Sequence, residues 1–116
     1  MMPEQEGGCA VLDRVYAVIE SRRGADPETS FVAKIFAGGR QRIAQKIGEE
    51  AVETVIAGAA GDRDETVRES ADLLFFLMVL WSDMGIQPDD VFAELSRREG
   101  VSGIDEKSAR GATWRE

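Results

Sequence analysis

Leu73-Leu74-Phe75-Phe76-Leu77-Met78-Val79-Leu80-Trp81 is an unbroken apolar run, and it constrains the fold more than any other feature of the sequence. Read as a helix it is apolar all the way round, which in a soluble protein requires burial on every side. The run is far short of the ~20 residues needed to span a bilayer. Burial within protein is the remaining solution. A chain of 116 residues has a thin core, because roughly two thirds of its surface is buried on folding. One chain can hardly supply enough helices to surround this segment, so packing against a second subunit is expected.

The rest of the sequence is also helical in pattern. No stretch alternates apolar and polar residues with period two, and there is no internal repeat or low-complexity tract. From Ala10 to Arg23, Val11, Leu12, Val15, Val18 and Ile19 recur at three- and four-residue spacing, and Gly24 follows. Asp26-Pro27-Glu28-Thr29-Ser30 is turn and N-cap chemistry before a short helix from Phe31 to Ala37, which Gly38-Gly39 stops as a hinge or close-approach loop. A long helix is expected from Arg40 to Ala60, another from Asp64 to Asp83 or Met84 before Gly85, and a further one from Pro88 to Arg98. The expected fold is all-α, a helical bundle of about four to five helices completed by homodimerisation. Residues 1–116 form one domain in this reading, with 1–9 disordered and 101–116 a polar, structureless C-terminal tail.

Composition removes several kinds of chemistry. The chain has no histidine, which excludes a Ser-His-Asp triad, a Cys-His pair and histidine-ligated zinc or haem. The single cysteine, Cys9, can form neither an internal disulfide nor a metal cluster and reads as inert. With 22 acidic and 14 basic residues the net charge is -8, which repels nucleic-acid backbones and anionic membranes. The N-terminus is acidic where a signal peptide is basic, and no apolar segment follows. A cytoplasmic protein with no nucleic-acid or membrane partner is expected.

The acidic excess is concentrated on helices. In Lys46-Ile47-Gly48-Glu49-Glu50-Ala51-Val52-Glu53, taking Glu50 as zero, Glu53 lies near about -60°, Glu49 about -100°, Lys46 about -40° and Arg42 about -80° around the axis. These residues form one stripe at the edge of the apolar face. The next helix repeats the pattern, with Glu69 and Asp72 three apart and Glu65 one turn earlier on the same side. Asp72 opens the apolar run, where burying a charge is costly unless it is paired or bound to a metal. A single acidic stripe is ordinarily a solvated face. Two stripes on consecutive helices, both bordering the core, argue otherwise. Carboxylates that converge without a cation raise one another's pKa, and magnesium, which takes oxygen ligands, resolves the repulsion.

Glu49-Glu50-x-x-Glu53 followed by Glu69-x-x-Asp72 resembles the EExxE…ExxD signature of the all-α nucleoside triphosphate pyrophosphohydrolases, a group that includes MazG-type enzymes and dimeric dUTPases. Lys46 to Glu53, Ser70-Ala71-Asp72-Leu73-Leu74 and the tail from Ser102 to Arg110 are together similar to its phosphoribosyl-ATP pyrophosphohydrolase branch, as is the lead-in from Ser30 to Gly39. The resemblance covers roughly residues 11–110. Phe76 departs from it, since many members carry histidine there.

The resemblance implies magnesium-dependent hydrolysis of phosphoribosyl-ATP to phosphoribosyl-AMP and pyrophosphate, the second step of histidine biosynthesis. It implies magnesium on Glu50, Glu53, Glu69 and Asp72, with Glu50 and Glu49 catalytic and Glu49 either a further ligand or the group that orients the attacking water. Arg42, Lys46 and Lys34 supply cations for three phosphates, although each alone is more often a surface ion-pair partner. Lys107 and Arg110 resemble family positions that close over the phosphates from a neighbouring subunit. Phe31, Phe36 and Trp81 offer rings for stacking on a base, but helical spacing favours core packing for each. Two other readings remain open: a housekeeping MazG-like hydrolase of other nucleoside triphosphates, and a non-enzymatic acidic bundle that dimerises to regulate a partner. A carboxylate-bridged diiron bundle fits poorly, because such sites use histidine.

Overall fold

A computed structural model describes Gly8 and residues 10–110, apart from the side chains of Glu106, Ala109 and Arg110. Cys9 and the expected disorder of the first residues lie outside the described part, apart from Gly8, as do residues 111–116. The elements are α1 (Ala10–Arg22), α2 (Phe31–Ala37), α3 (Gly39–Ala59), α4 (Arg63–Met84), α5 (Pro88–Arg98) and α6 (Gly103–Arg110), with no strand among the described residues. The fold is all-α, as the spacing requires.

The scaffold of the site is the hairpin of α3 and α4, which share the largest interface in the molecule. A connection this short forces neighbouring helices to run antiparallel. Asp62 makes the turn, its carboxylate accepting the Glu65 N–H at 3.1 Å to cap α4. At the other end Gly85 takes φ 73°, a left-handed conformation, and the Ile86 N–H returns to the Trp81 carbonyl at 2.8 Å. The chain then enters α5 through Pro88, where the Asp90 carboxylate accepts the Gln87 N–H at 2.9 Å. Between α2 and α3 the glycine pair is a close approach: a Cβ on Gly38 would fall 2.9 Å from the Arg42 Cβ.

The core joins Tyr16 and Ile19 of α1, Ile35 of α2, Ile43 of α3 and Phe76, Met78 and Val79 of α4. Phe36 and Trp81 pack against this cluster, as their spacing predicts. Phe31 does not, and at 59% exposure the core reading is wrong for this residue. It is the first residue of α2, directly after the Ser30 cap, and so projects from the helix end. Polar links close the far end of the molecule, where the Tyr16 hydroxyl donates to the Ile86 carbonyl and Arg23 Nη1 donates to the Ser82 carbonyl at 2.8 Å.

One expectation about the elements needs correction. Among the described residues there are six helices, because part of the stretch expected to be structureless forms α6, capped by Ser102, whose Oγ accepts the Asp105 N–H at 3.1 Å. The apolar run, as expected, is not surrounded within one chain. Phe76, Met78 and Val79 are buried, but Leu74 stays 43% exposed and the rest of the run is half-buried. Val52, Val55 and Ile56 of α3 and Val67 of α4 are exposed as well. No helix is long and apolar enough to cross a membrane among the described residues.

Candidate active site

The antiparallel hairpin turns two sequence stripes into one cluster. Glu50 projects from α3, and Glu69 and Asp72, one turn apart, project from α4 to meet it. One carboxylate oxygen from each lies within 4.8 Å of the others, close enough for a single metal ion to reach all three. Glu50 and Glu69 are buried, at 8% and 9% exposure, whereas Asp72 is exposed. The expectation that Asp72 is the costly buried acid is therefore corrected: it stands at the edge of the hairpin, lining the cavities on either side.

Glu50 Oε1 and Glu69 Oε1 have no hydrogen-bond partner. A buried, unpaired carboxylate oxygen costs several kcal/mol by the idealised reckoning. Something must compensate, either a proton on one carboxyl or a bound cation. The Glu69 carboxyl is pushed up from the usual 4.5 to about 8, first by the neighbouring Glu65 carboxyl, then by that of Glu50, by burial and by the charge of Glu53. Glu53 thus neighbours Glu69 although it is exposed. An oxygen-only donor set holding an exchangeable proton fits a hard divalent cation such as magnesium.

The sequence marked Glu65 as lying on the Glu69 side, and the structure places both, with Glu53, on the lining of one cavity, although Glu65 stands outside the group of Glu50, Glu69 and Asp72. Arg68 donates to Glu65 Oε1 from Nη2 at 2.7 Å and from Nε at 3.0 Å, which holds the Glu65 carboxyl below its usual range. The i, i+4 relation to Glu69 was the available signal.

Glu49 stands outside the cluster. Its carboxylate accepts from Gln45 Nε2 at 3.0 Å and from Lys46 Nζ at 3.3 Å, and the Lys46 bond chiefly lowers its pKa, with Arg42 adding a smaller favourable charge. Lys46 also lies 3.8 Å from Glu50 Oε2 and 5.3 Å above the Phe76 ring. One ammonium thereby bridges both adjacent acids while resting on an aromatic face. Phe31, Lys46, Glu50, Asp72, Phe75 and Phe76 line a cavity of 410 Å³. Among the other expected cations, Arg42 adjoins Glu49, and both Arg42 and Lys34 are exposed outside that lining. Lys107 is half-buried on α6, which shares no substantial interface with α3 or α4. The Arg110 side chain lies outside the described residues.

An all-α hairpin that joins the EExxE and ExxD segments around buried carboxylates defines the chain as an all-α nucleoside triphosphate pyrophosphohydrolase. The model of the phosphoribosyl-ATP pyrophosphohydrolase family matches residues 12–99. The chain belongs to that family. It is 57% identical over 109 residues to a phosphoribosyl-ATP pyrophosphatase of Azospirillum brasilense, covering 94% of this chain and 98% of the relative. A protein of the same name from Paramagnetospirillum magneticum is 58% identical over 100 residues, 86% of this chain and 92% of its own length. One from Rhizorhabdus wittichii is 60% identical over 99 residues, 85% and 93% of the two chains.

Proposed function

We propose that this chain hydrolyses phosphoribosyl-ATP to phosphoribosyl-AMP and pyrophosphate, the second step of histidine biosynthesis, with magnesium held by Glu50, Glu53, Glu69 and Asp72. Family membership supports the reaction. The observation that supports the metal is the pair of buried, unpartnered oxygens on Glu50 and Glu69 within reach of Asp72. Magnesium bound there would neutralise phosphate charge and lower the pKa of its bound water.

The chain's own residues account for the remaining requirements. Glu50 and Glu69 approach from opposite helices of a packed hairpin, so their carboxylates are set before substrate arrives. Lys46 exchanges its carboxylate partners for phosphate oxygens, and Glu49, released from the ammonium, accepts a hydrogen bond from the water that attacks the α-phosphorus. Arg42, beside Glu49, adds positive charge where the pyrophosphate leaves. Lys34 and the α6 residues Lys107 and Arg110 act on the phosphates at longer range, the last two from a neighbouring subunit.

The homodimer belongs to the same reading. Val52, Val55 and Ile56 follow helical spacing on α3, and with Val67 and Leu74 they leave an apolar face uncovered. A second copy supplies the missing cover. The acidic net charge and the lack of a helix suited to a bilayer among the described residues accord with a cytoplasmic enzyme acting on a small molecule.

Pyrophosphate release from phosphoribosyl-ATP, ATP and dUTP, with magnesium or with a chelator, tests this function. Turnover should be specific to phosphoribosyl-ATP, cease with chelator and be lost in Asp72→Asn. Preference for ATP or dUTP would turn the assignment to a housekeeping hydrolase. No metal-dependent turnover of any of them would make the acidic cluster structural or regulatory.

A further inference from the structure

Phe31 has no role in the metal chemistry and none in the core, yet it is a large aromatic side chain left 59% exposed. Its ring is not adrift. It meets the Phe76 ring edge-on at 6.2 Å and 71°, and Phe76 in turn meets Phe75 at 5.4 Å and 85°. Edge-to-face pairs of this kind fix ring orientation. α2 is anchored as well, since Ser30 Oγ accepts the Ala33 N–H at 3.1 Å and Ala33 and Ile35 are buried. The exposed ring is thus held on a rigid support.

What that ring faces gives it a purpose. Phe31 lines the 410 Å³ cavity together with Lys46, Glu50 and Asp72. That volume lies within the range of about 300–1,000 Å³ usual for small-molecule sites. Its lining combines charge that can deal with phosphate and metal, on Lys46, Glu50 and Asp72, with the three aromatic rings of Phe31, Phe75 and Phe76. A nucleotide has the same division, an anionic end and a flat aromatic base.

We infer that Phe31, braced by Phe76, is the platform on which the purine ring of the substrate stacks, which sets the preference for a substrate with an aromatic base. The inference rests on the function proposed above for this cavity and names the residue that recognises the base. Stacking on an aromatic side chain is worth enough that its removal weakens binding about tenfold.

Calorimetric titration with AMP and with ribose 5-phosphate, which lacks the base, tests this without requiring turnover. In wild type AMP should bind more tightly than ribose 5-phosphate. Phe31→Ala should weaken AMP about tenfold and leave ribose 5-phosphate unchanged, Phe31→Trp should retain AMP binding, and KM for phosphoribosyl-ATP should rise in Phe31→Ala more than kcat falls. Equal effects on the two ligands, or wild-type protein that does not distinguish them, would overturn the inference. So would a change in sedimentation of Phe31→Ala, because it would assign the ring to a contact between copies. A wild-type chain that binds AMP through Phe31 but does not hydrolyse phosphoribosyl-ATP would refute the proposed reaction and keep the platform.

Discussion

Glu69 concentrates the chemistry of the site in one carboxyl group. Its pKa of about 8 in the metal-free cluster, against an ordinary 4.5, means that the folded chain holds a proton there which the unfolded chain has released. The associated stabilisation is fully present below pH 4.5 and is lost as pH rises through 8. In chelator, the melting temperature should therefore fall between pH 6 and pH 8, and Glu69→Gln should flatten that fall. Magnesium bound at the cluster would displace the proton, so its affinity should increase over the same interval and its stabilising effect should be largest near pH 8. Melting curves at the two pH values, with and without magnesium, decide the matter; a profile indifferent to the metal would remove the cluster from consideration as a cation site. Glu50→Gln replaces the acid that α3 contributes to the buried pair. It should lower turnover by at least about a hundredfold, since even outer-shell changes cost roughly ten- to a hundredfold, with little loss of folded protein in urea titration. The acids Glu50, Glu53, Glu69 and Asp72 were legible from three- and four-residue spacing. Their burial was not, because an angular position around one helix does not say how deeply its partner helix sits. Asp72 beside an apolar run looked buried and is exposed, while Glu50 and Glu69 take the buried positions.

At the scale of the element, the helices were legible where caps mark their ends. α2 and α5 match the expected bounds, and α1, α3 and α4 differ from them by about one residue. α6 was missed because a polar segment short of aliphatics has no apolar stripe to reveal its period. The Ser102-Gly103-Ile104-Asp105 start was the one signal, and it was overlooked. The same capping logic gives a prediction for the hairpin. Asp62 satisfies an otherwise orphaned N–H at the start of α4, and Asp62→Ala should destabilise the fold by about 1 kcal/mol. Gly85→Ala should cost about 1–2 kcal/mol, because φ 73° is left-handed and the added Cβ meets the following carbonyl. Urea midpoints of the two variants measure these costs. Both substitutions are remote from the carboxylates, so magnesium should raise the midpoint of each as it does in wild type; loss of that response would mean that the hairpin ends control the site.

For the whole molecule, the apolar run from Leu73 to Trp81 poses a question that a single chain does not answer. The hairpin, α1 and α2 bury three of its residues and leave Leu74 and the faces around Val52, Val55, Ile56 and Val67 open. Sequence patterning revealed that the run needed more cover than the chain offers, but not where the cover would fall, since that depends on which helix faces α1 and α2 leave free. The side chains left open lie on the α3–α4 hairpin that also carries Glu50, Glu69 and Asp72, so association and catalysis should be linked. Val55→Asp and Ile56→Asp place a charge on the uncovered face, and burying an unpaired charge is costly enough to exclude association. Wild type should sediment as a dimer and the variants as monomers, with melting temperature lowered and turnover reduced at dilute protein. Wild-type monomers, or variants that remain dimeric, would locate the cover of the apolar run elsewhere. Full turnover by a monomeric variant would show that the carboxylate hairpin is a complete active site within one chain, and that Lys107 and Arg110 need no neighbouring subunit to act.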